Sequence, residues 1–140
     1  GGPRPRVQLL YYPAVDMVGS FPSRATFADG YYLTEAHIQW FYDHYVPDAA
    51  RRLDPRASPL REPDLTGLPP ALVVTAGLDP LRDEGRAYGE RVAAAGGDVE
   101  RVEVPGMVHG FVSLDGVLPA ADRAVADVNA RLLRRLHANG

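Results

Sequence analysis

The sequence predicts an α/β protein with three mostly parallel strands and flanking helices, and three observations carry that expectation. Residues 71–76 (ALVVTA) form an unbroken apolar run, the pattern of a strand buried on both faces of a parallel sheet. Residues 99–104 (VERVEV) alternate apolar and polar, as an outer strand with one wet face does. Between them, residues 80–95 place Tyr88, Val92 and Ala95 on one helical face and run into Gly96-Gly97, a helix stop. A crossover helix between neighbouring strands favours parallel pairing.

The remaining elements follow in order. Residues 7–12 (VQLLYY), ended by Pro13, are short, apolar and rich in β-branched and aromatic side chains, and read as a buried strand. Residues 13–33 show no period and read as a long loop, a kind of segment that is usually functional inside a compact domain. Residues 34–45 read as a helix capped by Thr34, with Glu35 in the first turn and Ile38, Phe41, Tyr42 and Tyr45 as its apolar stripe. Pro47 stops it, and residues 47–70 are proline-rich and irregular. Residues 105–118 are expected as a loop. A last helix over 119–136 would bury Val125, Val128, Leu132, Leu133 and Leu136, with Asn139-Gly140 to close it. The opening Gly1-Gly2-Pro3-Arg4-Pro5-Arg6 reads as a linker, so the chain is expected to begin in the middle of a fold. The exposed side of strand 7–12 would then be an aggregation hazard unless another segment covers it.

Composition narrows the function classes. Hydrophobic residues make up 46% and charged residues 24% of the 140, which excludes disordered and fibrous chains. A net charge of -3 does not suggest a nucleic-acid partner, which usually leaves a basic footprint. All fifteen basic residues are arginine and are spread along the chain, which reads as a compositional bias of the source genome. With no cysteine there is no disulfide framework, thiolate metal site or Cys nucleophile, and the redox compartment is left open. No apolar run approaches the roughly 18 residues of a membrane span.

Two residues stand where a parallel sheet places its chemistry, in loops leaving the carboxyl ends of strands. Asp79 follows strand 71–76 and His109 follows strand 99–104, so both would emerge at one sheet edge. A carboxylate beside an imidazole is the orienting half of a nucleophilic triad. Each residue also has a structural reading: Asp79-Pro80 makes a good helix start, and a lone loop histidine is often structural. Asp83 and Glu84 fall where a helix dipole favours acids, although Asp83 also suits a brace for the Asp79 loop. His37 and His44 share a helical face without a third ligand, so no metal site is expected. Tyr31, Tyr32, Trp40, Phe41 and Tyr42 suit either a substrate pocket within residues 17–50 or core packing, with core packing favoured for Phe41.

The segment from Leu68 to Gly85 (LPPALVVTAGLDPLRDEG) and the segment from Pro105 to Phe111 (PGMVHGF) resemble the hormone-sensitive-lipase-like branch of the α/β-hydrolase esterases. Tyr12-Pro13, Trp40-Phe41 and Ser58-Pro59-Leu60 are similar to the same branch. The resemblance implies a partial α/β-hydrolase fold, with these three strands as the last of eight, and a Ser-His-Asp triad in which Asp79 is the acid and His109 the base. It makes Leu81 and Phe111 pocket walls, and implies an ester substrate and no cofactor. The family's G-x-S-x-G nucleophile elbow and H-G-G-G-type oxyanion loop are absent from these residues: Ser20, Ser23, Ser58 and Ser113 all lack the flanking glycines. The nucleophile is therefore expected on a segment before Gly1 or on a partner chain, and this chain alone is expected to be inactive. A non-catalytic binding protein on the same scaffold and a related serine peptidase are the alternatives.

Overall fold

The structure is a computed structural model that describes residues 3–138. Three strands, β1 (Gln8–Tyr11), β2 (Ala71–Leu78) and β3 (Val99–Val108), form one sheet in the order β1-β2-β3. Both pairings are parallel. Among the described residues four α-helices accompany them: α1 (Pro22–Thr26), α2 (Glu35–Tyr45), α3 (Arg82–Ala94) and α4 (Pro119–Ala138). The linker residues Gly1 and Gly2 and the closing pair Asn139-Gly140 lie outside the described residues.

The central strand explains the layering. Seven consecutive residues of β2, Ala71 to Gly77, are buried, because both faces of the sheet are covered. On one face Leu72, Val74 and Ala76 pack with Phe111 and with Val128 of α4. On the other, α3 comes close: a Cβ on Gly85 would stand 3.0 Å from Thr75 Cγ2, so only glycine allows this approach without a shift. Tyr88 and Val92 of α3 then join Val15 and Leu65 in a second cluster. A third cluster, Met17, Ile38, Tyr42 and Leu81, fastens α2 to the start of α3.

Several expectations are corrected by this packing. Helix α3 begins at Arg82 rather than Pro80, because residues 79–81 form a tight turn in which the Asp79 carboxylate accepts the Leu81 N–H at 2.8 Å. Strand β3 continues to Val108 through residues whose sequence predicts a loop, and residues Phe111–Leu114 form a 3-10 turn. The stripe of α2 is only half buried: Ile38 and Tyr42 are in the core, whereas Phe41 and Tyr45 are exposed. Leu133 of α4 is likewise exposed, while Val128 is fully buried. Thr34 does cap α2, its side chain accepting the His37 N–H at 3.1 Å.

Among the described residues β1 and β3 each pair on one side only. An apolar strand edge left open recruits other chains. The 140-residue chain on its own is expected to sediment as self-associated species at micromolar concentration. A monomer with one sharp thermal transition, seen by centrifugation and calorimetry, would contradict that expectation.

Candidate active site

Strand register brings the two chemical residues together. From Ala71↔Val99 to Ala76↔Val104 the partners differ by 28 positions (99 − 71 and 104 − 76), but Leu78 pairs with Val108, a difference of 30. Two extra residues are thus accommodated in β3 between those pairs, as a bulge. The residues that directly follow the two strands are Asp79 and His109, also 30 apart. Gly77 makes room at the irregularity: a Cβ there would lie 3.1 Å from Pro105 Cα and 3.2 Å from Gly106 N.

His109 Nδ1 lies 2.9 Å from Asp79 Oδ2. Asp79 is fully buried, and its other oxygen accepts the Leu81 N–H. An ionised carboxylate can only accept, so the neutral imidazole carries its proton on Nδ1 and leaves Nε2 unprotonated. Tyr12 packs its ring 4.4 Å from that of His109, and Phe111 closes the stack against Tyr12 at 5.6 Å. Tyr12 holds a left-handed backbone (φ 35°), an uncommon conformation for an aromatic residue at the end of a strand. Gly110 turns the chain away after His109 with φ 77°.

Leu81 and Tyr32 border open space beside His109, Leu81 in one cleft and Tyr32 in another. Phe111 does not: it is fully buried in the core beneath the site, because its ring packs against Tyr11 and Tyr12. Tyr31 turns its ring edge-on to Phe27 at 5.0 Å. Phe41, expected in the core, is 56% exposed and borders both clefts. His37 and Trp40 border the second cleft, while His44 Nδ1 meets the Trp40 carbonyl at 2.7 Å. Among the described residues, no group of three or more His, Asp or Glu side chains is placed to hold a metal ion.

A buried ion cluster, hidden from sequence reasoning, supports the site. Glu84 is fully buried rather than a surface partner of the helix dipole. Its Oε1 accepts the Val15 and Asp16 N–H groups, and its Oε2 accepts Arg24 Nε and Nη2 at 3.0 and 2.8 Å. Arg24 also donates to Glu35 at 3.1 Å and to the Tyr42 hydroxyl at 2.6 Å. Burial opposes the Arg24 cation, but the Glu84 charge, Tyr42 and the hydrogen bonds to Glu84 and Glu35 together outweigh it and raise the guanidinium pKa. Burial, with the Glu84 charge, pushes the Tyr42 phenol up to about 12. Asp83 braces the same region, its Oδ2 accepting the Ser23 N–H while Ser23 Oγ donates to the Pro80 carbonyl. The signal that could have found the cluster is Arg24 itself, the one cation among residues 13–33.

Comparison with known proteins agrees with this architecture. The α/β-hydrolase-fold family matches residues 1–113. The chain belongs to that family, in its hormone-sensitive-lipase-like branch. It is 43% identical over 115 residues to a carboxylic ester hydrolase, LipN, of Mycobacterium tuberculosis, covering 81% of this chain and 31% of that protein. It is 36% identical over 132 residues to an ethyl acetate hydrolase of Pseudomonas putida, covering 94% and 42%. Among solved structures, a thermostable esterase from Pseudomonas putida superposes with a TM-score of 0.90 at 41% identity, covering 96% of this α/β-hydrolase chain and 44% of the other. The chain thus spans less than half the length of each of these relatives. No helix among the described residues is long and apolar enough to cross a membrane.

Breaking the Arg24–Glu84 pair leaves a buried charge without its partner. Arg24→Met or Glu84→Gln alone should each cost about 3–5 kcal/mol in urea denaturation. The double variant should cost less than the sum of the two. Additive losses would show that the two side chains do not act as a unit.

Proposed function

We propose that these residues form the acid–base part of a carboxylic ester hydrolase whose nucleophilic serine lies outside them. The contact between buried Asp79 and His109 at 2.9 Å carries the reading, supported by the esterases among the relatives. The serine hydroxyl attacks the ester carbonyl carbon while His109 Nε2 takes its proton. The tetrahedral intermediate collapses, the C–O bond to the alcohol breaks, and His109 returns the proton to the departing alkoxide. Water then attacks the acyl-serine with His109 again as base; the bond from the acyl carbon to serine Oγ breaks, His109 returns the proton to Oγ, and the carboxylic acid leaves. Throughout, Asp79 holds Nδ1–H in place and stabilises the imidazolium that forms in each step. No cofactor enters these steps.

In the complete protein, Asp79→Asn and His109→Ala should each lower kcat on p-nitrophenyl butyrate by about 10⁴-fold. Turnover near that of the unaltered protein in either variant would remove the triad assignment. A complete protein that binds the ester without turnover would be a binding protein on the same scaffold.

A further inference from the structure

Two clefts share one aromatic side chain as a border. The inner one, about 380 Å³, runs between the end of β1 and α2, past Tyr12, Pro13, Ile38 and Leu81. The outer one, about 640 Å³, runs over Tyr32, His37 and Trp40. Both are bordered by Leu33, Phe41 and His109, and no Asp, Glu or Arg borders either. Their sizes fall within the roughly 300–1,000 Å³ of small-ligand sites.

The helix that carries Phe41 is anchored. The next residue, Tyr42, has its hydroxyl clamped by Arg24, which is itself locked to Glu84 at the start of α3. Trp40 meets the Phe41 ring edge-on at 5.1 Å. The helix that carries the ring is thereby tied to the start of α3, and the ring, 56% exposed, stands between the two clefts beside His109.

We infer that Phe41 is a specificity-determining residue that separates the two arms of an ester, one on each side of the carbonyl held at His109. The inference rests on the ester-hydrolase reading and deepens it. The substrate class is a neutral ester with apolar groups on both sides: a short arm in the inner cleft and a longer or aromatic arm in the outer one. An uncharged apolar lining desolvates such arms at no electrostatic cost and rejects charged ones. The wall, not the base, decides which arm can be long.

The test compares kcat/KM in the complete protein over two series, p-nitrophenyl esters of rising acyl length and alkyl butyrates of rising alcohol length. The unaltered protein should show a steep length limit in one series and tolerance in the other. Phe41→Ala should raise the long-to-short ratio in the restricted series by about tenfold or more, with Phe41→Leu between the two. Equal tolerance of both series before substitution, or ratios within about twofold of the unaltered protein in both variants, would overturn the partition. His109→Ala, assayed alongside, separates the two claims: loss of its activity keeps the hydrolase reading whatever Phe41 does, and retained activity removes that reading itself.

Discussion

The site depends on one constraint, the parallel pairing of β2 with β3 and the two-residue irregularity within it. A uniform register would carry Asp79 past the bulged segment and leave it level with Met107, since the earlier pairs differ by 28 positions. The irregularity adds two and delivers His109 instead. A slip of two residues keeps every side chain on its own face of the sheet, so the core pattern of β3 survives while its tip is re-aimed. Glycine at position 77 is what makes this sterically open, since any side chain there would press on the backbone of residues 105 and 106.

A second constraint ties the long excursion to the sheet. Residues 13–70 carry α1, α2 and two 3-10 turns joined by irregular backbone, which hydrophobic burial alone positions poorly. The excursion instead converges on Glu84, one side chain that receives the backbone of Val15 and Asp16 and the guanidinium of Arg24. Arg24 passes the connection on to α2 through Glu35 and Tyr42. Asp16 extends it by accepting from Arg61 at 2.8 Å. Helix α2, which walls the clefts, is thereby referenced to the same helix start that follows Asp79. A buried ion pair is not by itself strong evidence of stability. Its value here is geometric, because hydrogen bonds from several directions leave the loop little freedom to shift against His109.

The strands, the crossover helix and the meeting of Asp79 with His109 are legible in the sequence because each leaves a local signal. ALVVTA is apolar without a break, VERVEV alternates, and Gly96-Gly97 ends a helix. What stays hidden is set by tertiary contact. The extension of β3 across Pro105 and Gly106 contradicts local propensity and is sustained by pairing with β2. Glu84 reads as a surface acid, since nothing near it in sequence announces Arg24, sixty positions away. Phe41 fits an apolar stripe, yet helix α2 buries only the side facing Met17 and Leu81 and leaves the other side to the clefts. Phe111, expected at the surface of a pocket, is instead part of the floor beneath Tyr12, which in turn packs on His109.

The most direct test of the account is the tautomer of His109, read by ¹⁵N NMR of histidine-labelled protein near neutral pH. The carboxylate of Asp79 requires the neutral ring to carry its proton on Nδ1, with Nε2 bare, and Asp79→Asn should disturb that preference. A neutral His109 protonated on Nε2, or one whose tautomer ignores the change at Asp79, would contradict the pairing on which the site is built.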